Sequence, residues 1–469
     1  IDLKDLSDAK EIAIDLETCD PNLTTSGSGA INGNGFVVGI AVAVEGWQGY
    51  FPIAHEGGGN LDKRIILDWF QDILNTSANK IFHNAMYDVS WIRAMGLNIN
   101  GRIIDTMIAG SLINENRFSY TLDSMGKEFV GFGKNETNLK EAAKNWNIDP
   151  KKDMWRLPAM EVGSYAEKDA ELTLKLWQRL QQELTAQDLW SVFTLEIDLF
   201  PCLIDMKFKG VRVDMERADI IKKQIVKKEK QVLLDIKKQI GFDVEIWAAS
   251  SCALAFDKVN LPYDKTDKGN PSFTKNFLST HPHPLAKNIT LARELNKAHT
   301  TFIDTIIKHE HRGRIHADIN QIRSDQGGTV TGRFSYSNPN LQQVPARNKD
   351  LGPMIRSIFI PEDKCQWGCF DYSQQEPRIL VHYASLDNFR SVDNIIEKYK
   401  NSDADFHQSV ADMADIERKQ AKTINLGLMY GMGKNKLMAE LGLQVDAAEK
   451  LIKRYHASAP FVKQLMDSV

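Results

Sequence analysis

Hydrophobic and polar positions alternate along Glu11-Ile12-Ala13-Ile14-Asp15-Leu16-Glu17, which predicts a β-strand. Ile12, Ile14 and Leu16 fall on one face, Asp15 and Glu17 on the other. Phe36 to Val44 and Gly46 to Ile53 predict two further strands, joined as a meander. Lys80 to Asn84 predicts a short strand that runs into a helix over Ala85 to Ile92. Val162 to Leu184 has helical period, with Leu172, Leu176 and Leu180 on one stripe. Tyr165 and Asp169, four apart, share a face of that helix. Beyond it the pattern turns mostly helical. Glu196 to Lys207 predicts a helix, Gly210 to Asp214 a turn with a short extended piece, and Met215 to Ile240 a long helix. Asp264 to Pro284, rich in Pro, Gly, Ser, Thr and Lys, predicts a loop. Leu285 to His309 is helical again. Cys365 to Phe370, short and partly aromatic, predicts a buried strand, and Pro377 fits the first turn of a following helix.

The 469 residues suffice for two to four domains, each with its own core. The pattern predicts an α/β, multi-domain chain with sections near residues 1–190, 191–315 and 316–469. A formal net charge of −4 gives no global signature of nucleic-acid binding, so any such contact rests on local basic surfaces. One is the helix carrying Lys222, Lys223, Lys227, Lys228, Lys230, Lys237 and Lys238. A solvated face and phosphate contact with a duplex both account for it. Five cysteines (Cys19, Cys202, Cys252, Cys365 and Cys369) are too few for a disulfide framework, and Cys365 and Cys369 lack zinc-site partners. A reducing, cytoplasmic setting is expected. No signal peptide and no long apolar run appear. The chain opens on Ile1 rather than Met, which points to trimming or a partial sequence.

Candidate chemistry lies at both ends. Asp-x-Glu on the first strand (Asp15, Glu17), Asn-x-x-x-Asp (Asn84, Asp88) and Tyr-x-x-x-Asp (Tyr165, Asp169) each mean little alone, since single acids usually solvate a surface. In this order they resemble the three motifs of proofreading 3′–5′ exonucleases. That resemblance implies an RNase H-like fold over 1–190 with two divalent ions, Mg²⁺ or Mn²⁺, held by Asp15, Glu17, Asp88 and Asp169. Several carboxylates are needed to offset the mutual repulsion of two such cations. Tyr165 is then expected to orient the attacking water.

The second constellation is Asp371-Tyr372-Ser373-Gln374-Gln375-Glu376-Pro377-Arg378. It reads either as a strand-to-helix corner with a solvated Asp or as a site for a hard divalent cation. It resembles the palm signature Asp-Tyr-Ser-Gln-x-Glu-x-Arg of DNA polymerase I-type (family A) DNA polymerases, with Gln375 and Pro377 like the phage replicative enzymes. Thr331-Gly332-Arg333-Phe334-Ser335 and Pro339-Asn340-Leu341-Gln342 resemble the family element that touches primer–template, which assigns Arg333, Asn340 and Gln342 to DNA. Arg418, Lys422, Leu426 and Tyr430 recur every four residues on a helix. Two cations one turn apart suit a triphosphate, and the pattern resembles the family's fingers helix. It departs at Leu426, where the family usually has Phe or Tyr, which leaves dideoxynucleotide discrimination open. His407 aligns with a family His near the phosphates.

The resemblance implies Mg²⁺ at Asp371 and the Tyr372 carbonyl, two ions per active site, and Gln374 in the nucleotide pocket. Glu376 is expected beneath the sugar, and Lys422 as the acid for the leaving pyrophosphate. Residues 191–315 are similar to the thumb, 316–390 to part of the palm and 391–469 to part of the fingers. No His-Asp-Glu occurs in the sequence, although the family carries its second palm acid there. The expectation is therefore an amino-terminal portion of a replicative polymerase with a complete proofreading exonuclease, or a split-polymerase subunit completed by a second chain. A stand-alone exonuclease whose carboxy-terminal half only grips DNA is the alternative. The expected partners are primer–template and single-stranded DNA and deoxynucleoside triphosphates, with no membrane.

Overall fold

β1 (Glu11–Cys19) is the middle strand of a five-stranded sheet with β2 (Phe36–Val44), β3 (Trp47–Pro52), β4 (Asn79–Phe82) and β5 (Ile103–Asp105). The order is β3-β2-β1-β4-β5, described here from a computed structural model of the chain. It covers residues 3–323, 327–346, 348–389, 392–401, 405–414 and 416–468. The first three strands form the predicted antiparallel meander. β4 joins β1 in parallel and β5 joins β4 in parallel, through the helical crossovers Lys63–Asn75 and Ala85–Ala94.

The two faces of β1 pack differently. Ile12, Ile14 and Leu16 enter a core with Phe70, Phe82 and Val89. Ala13 faces the other way, with Ala41, Ala43 and Ile81, against Ala166 and Ala170 of the helix Ala159–Ala186. Alanines on both sides let the helix backbone come close to the sheet. The helix thereby faces the side of β1 that carries Asp15 and Glu17. Trp177 anchors it further along, 2% exposed, donating its indole N–H to Glu11 Oε1 at 2.9 Å.

The helix Trp190–Lys209 leads through the short strand Val211–Arg212 to the long helix Met215–Ile240. Ile221, Ile225, Ile236 and Ile240 of that helix are buried against Pro284–Lys297. Its lysines differ in their surroundings. Lys222 pairs with Asp304 at 2.7 Å and Lys237 with Asp243 at 2.8 Å, whereas Lys223, Lys227, Lys228 and Lys230 are exposed. The stretch Leu285 to His309 is helical throughout, with a wider π-turn over Ala298–Ile303.

Two sequence expectations fail here. Asp264 to Pro284 is not a simple loop: it holds a small hairpin (Asp264–Lys265 with Pro271–Ser272) and the helix Lys275–Thr280. The hairpin turn is closed by Thr266 N–H to Asn270 O at 2.8 Å, with Gly269 at φ +79°. Nor is Cys365 to Phe370 a buried strand. It has no regular secondary structure and is exposed, Trp367 at 61% and Phe370 at 97%, and no strand among the described residues pairs with it. A strand is stabilised by its neighbours' hydrogen bonds, which a local pattern does not reveal.

The chain packs as two compact units, Ile1–Cys365 and Gln366–Val469. The second is helical, from Gln375–Leu386 to Pro460–Ser468, around Ala384, Phe406, Ile424, Leu428, Tyr455 and Phe461. Among the described residues no helix is long and apolar enough to cross a membrane. All five cysteines are free, with Cys202, Cys365 and Cys369 exposed.

Candidate functional site

Three elements converge on the polar side of β1. Asp15 and Glu17 come from the strand itself, and a register shift between Glu17 and Thr18 ends the regular pairing beside them. The helix Ala159–Ala186 presents Tyr165 and Asp169 one turn apart. Asp88 comes from the first turn of Ala85–Ala94, where its Oδ1 accepts the Leu16 N–H of β1 at 3.1 Å.

That helix starts where it does because of Asp105 at the end of β5. Its carboxylate accepts from Asn84 N at 3.0 Å, Ala85 N at 2.8 Å and Met107 N at 2.8 Å, capping two helices at once. Asn84 takes the left-handed conformation, φ +69°, a region Asn tolerates better than most residues.

Ligand oxygens of Asp15, Glu17 and Asp169 all lie within 4.8 Å of one another, the one such group of three among the described residues. Asp88 is tied to the same strand but stands outside that group. Burial, then the charge of Asp169, pushes the Asp15 carboxyl up to about 7, against the pull of Lys134. Burial, then Asp15 and Asp169, holds Glu17 well above the usual carboxylate range. Burial followed by Asp15 does the same to Asp88, opposed by the Leu16 N–H. Asp169 is also raised by burial, with Lys134 acting the other way. Clustered buried acids are unfavourable unless a cation compensates them. Asp169 Oδ1 is in addition buried without a hydrogen-bond partner among the described residues. Crowded, desolvated carboxylates with an unfilled oxygen fit a hard divalent cation.

The sequence pattern did not reveal Lys134. Its ammonium pairs with Asp169 Oδ2 and donates to the Tyr165 hydroxyl at 3.0 Å, lying 5.1 Å above that ring. Burial disfavours its charge, yet Asp169, Tyr165 and Asp15 hold its pKa well above the ordinary lysine value. The only sequence hint is a lysine following Gly131-Phe132-Gly133, a weak one. Tyr50 was also missed: its hydroxyl lies 2.6 Å from His55 Nε2, and burial, then Glu17 and Asp15, raises its pKa.

The candidate polymerase residues of the second unit gather around Gln375–Leu386 and Arg418–Met429. Tyr430 donates its hydroxyl to Glu376 Oε1 at 3.0 Å. Gln374 Oε1 accepts from Phe406 N at 3.0 Å. Arg418 Nε pairs with Asp405 Oδ2 at 2.5 Å. His407 is buried against Asn425, Nδ1 to Nδ2 3.2 Å, and Asn425 Oδ1 accepts from Tyr455 at 2.7 Å. Lys422 is exposed and Leu426 half-buried. Asp371 and Tyr372 are exposed ahead of the helix Gln375–Leu386, and Asp371 joins no cluster of metal-ligating groups among the described residues. In the first unit, Asn340 Oδ1 caps Gln342 N at 3.1 Å and Gln342 Nε2 donates to Phe334 O at 3.0 Å. Arg333 lies beside them in the chain, exposed.

Residues 216–469 match the family model described as DNA polymerase family A, and residues 3–185 match a 3′–5′ exonuclease. A DNA-directed DNA polymerase of Pseudomonas phage M6 is 38% identical over 458 residues, covering 93% of this chain and 69% of that protein. The DNA polymerase DpoZ of Acinetobacter phage SH-Ab 15497 is 32% identical over 414 residues, covering 81% and 65%. DNA polymerase I of Pseudomonas aeruginosa is 29% identical over 494 residues, covering 99% and 51%. This chain thus spans 51 to 69% of the length of these three relatives. Among solved structures, the POL domain of Pol1 from M. smegmatis, in complex with DNA primer–template and dNTP, superposes with a TM-score of 0.75. It covers 98% of this chain and 74% of that one at 20% identity, a likeness of fold. The chain belongs to DNA polymerase family A, with a 3′–5′ exonuclease domain ahead of its polymerase domain.

Proposed function

We propose that this chain removes nucleotides from the 3′ end of DNA at the carboxylate cluster on β1, and that its second half handles primer–template and an incoming deoxynucleoside triphosphate. The observation that carries the first part is the approach of Asp15, Glu17 and Asp169 within 4.8 Å in a buried setting. These three, with Asp88, would hold two divalent ions, Mg²⁺ or Mn²⁺. When bound, the ions supply an activated water and stabilise the leaving 3′ oxygen. Tyr165 orients that water. Burial raises its pKa, so the hydroxyl keeps its proton and donates it as a hydrogen bond.

On the polymerase side the assignments are Arg333, Asn340 and Gln342 to the primer–template, and Arg418 and Lys422 to the triphosphate. Lys422 also protonates the leaving pyrophosphate. Gln374, His407, Leu426 and Tyr430 line the nucleotide pocket, and Glu376, hydrogen-bonded to Tyr430, excludes a 2′-hydroxyl. Asp371 and the Tyr372 carbonyl would hold the nucleotide's cation. The division into exonuclease (1–190), thumb (191–315), palm (316–390) and fingers (391–469) is part of this proposal, as is a cytoplasmic setting. Support comes from the family relationship and from the fold likeness to a polymerase solved with primer–template and dNTP. A second polymerase chain has no support in these comparisons and forms no part of the proposal.

The test is cleavage of a 5′-labelled single strand in Mg²⁺ by the purified chain. Wild type is expected to shorten it from the 3′ end, faster than a paired end. Asp15→Ala with Glu17→Ala is expected to abolish cleavage. Wild-type activity in that folded double variant overturns the assignment.

A further inference from the structure

Lys134 is built into the exonuclease site. Its backbone N–H donates to Asp123 Oδ1 at 2.9 Å, which fastens the loop to the helix Leu122–Phe129. Gly131 adopts φ +91°, a conformation side chains disfavour. A Cβ on Gly133 would meet Asp123 Oδ1 at 2.2 Å. The loop therefore depends on two glycines, and what it delivers is one ammonium, 23% exposed, to an Asp169 that is 1% exposed. That ammonium touches Asp169 Oδ2 and the Tyr165 hydroxyl together.

The hydrogen-bond chemistry is restrictive. An ammonium donates and never accepts, so at Tyr165 the oxygen accepts from Lys134 and the phenolic hydrogen is turned elsewhere. That hydrogen is then available to an acceptor, the Asp169 carboxylate or a water. Asp169 has a second oxygen, Oδ1, without a hydrogen-bond partner among the described residues, so one carboxylate can serve Lys134 and a metal ion at once. A fixed positive charge in contact with a ligand carboxylate also repels any divalent cation beside it.

Resting on the exonuclease reading above, we propose that Lys134 is a positioning residue of that site. Its ammonium sets Asp169 and Tyr165 in register for the attacking water and lowers the affinity of the carboxylates for divalent cations. A lysine that merely stabilises the fold predicts neither the tighter metal binding nor the slower turnover of its neutral variant.

The experiment compares wild type, Lys134→Met, Lys134→Arg and the control Asp15→Asn/Glu17→Gln, each checked for folding by circular dichroism. Mn²⁺ binding is measured by calorimetry, and kcat and KM for a single strand at saturating Mn²⁺. Lys134→Met is expected to bind Mn²⁺ about ten-fold more tightly while kcat falls about ten-fold and KM changes little. Lys134→Arg, which keeps the charge and donors, is expected to stay near wild type in affinity and to recover much of kcat. Unchanged or weaker Mn²⁺ binding in Lys134→Met, or an unchanged kcat, overturns the proposal. If Lys134→Met does not fold, Lys134→Gln takes its place under the same criteria. A control that binds Mn²⁺ like wild type overturns instead the carboxylate site on which the proposal rests.

Discussion

Asp15→Asn is expected to make the metal-free protein more stable while removing its exonuclease activity. The carboxyl of Asp15 is pushed from 3.8 up to about 7 by burial and by Asp169. At about 1.4 kcal/mol per pKa unit, a shift of about three units sets an upper bound of about 4 kcal/mol on the penalty of ionising it. Asp15 retains partial solvent access, so the gain expected in practice is about 2–4 kcal/mol. The sign follows from proton binding. A carboxyl with a raised folded-state pKa imposes no penalty below pH 3.8. The penalty grows as pH rises towards 7, where the folded state holds a proton that the unfolded state has lost, and is complete above 7. In EDTA the advantage of Asp15→Asn is thus largest at pH 8 and vanishes near pH 4. Mg²⁺ at a hundred times Kd narrows or cancels this advantage, since wild type gains about 2.7 kcal/mol of binding energy and the variant does not. Urea unfolding followed by tryptophan fluorescence, to which the buried Trp177 contributes, measures these differences. A folded Asp15→Asn that is no more stable than wild type in EDTA at pH 8 refutes the view of this cluster as uncompensated charge.

Other consequences concern the second unit. Asn425→Ala strands His407 and the Tyr455 hydroxyl in a buried setting, so a loss of about 1–3 kcal/mol is expected in thermal or urea unfolding; a change below experimental error counts against the network. Glu376→Ala should weaken discrimination against ribonucleotides in any polymerising form, read by incorporation of each triphosphate, and unchanged selectivity removes Glu376 from the sugar-excluding role. An exonuclease-inactive form of this 469-residue polypeptide is expected to bind primer–template and a matched triphosphate yet not to extend the primer, because Asp371 stands in no cluster of metal-ligating groups among the described residues. Clear extension would require another acid at that site.

What the sequence made legible is what is encoded locally. Ile12, Ile14 and Leu16 face the core as their alternation predicts, and the Tyr165–Asp169 spacing places both on the helix face that meets β1. The gathering of Asp15, Glu17 and Asp169 followed from motif order, yet nothing in that order shows why Asp88 stands apart, held by Leu16 N. Asp105 and Lys134 escaped because their roles depend on neighbours distant in sequence: one caps a helix 21 residues back, the other reaches a helix 31 residues on. Cys365 to Phe370 was misjudged for a related reason, since apolar residues favour a strand only where another strand receives them. The lysine-rich helix shows a third limit. Charge spacing alone could not separate Lys222 and Lys237, engaged by aspartates, from Lys227 and Lys230, which face solvent.

The central claim, a 3′–5′ exonuclease centred on the acids of β1, is tested most directly by the polarity of degradation. One single-stranded oligonucleotide, labelled at its 3′ end in one sample and its 5′ end in another, is incubated with the purified chain in Mg²⁺ and with the Asp15→Ala/Glu17→Ala variant. The account predicts immediate release of labelled mononucleotide from the 3′-labelled strand, a descending ladder from the 5′-labelled strand, and neither with the variant. Mononucleotide released first from the 5′ label, or the same 3′ release by the folded variant, would contradict it.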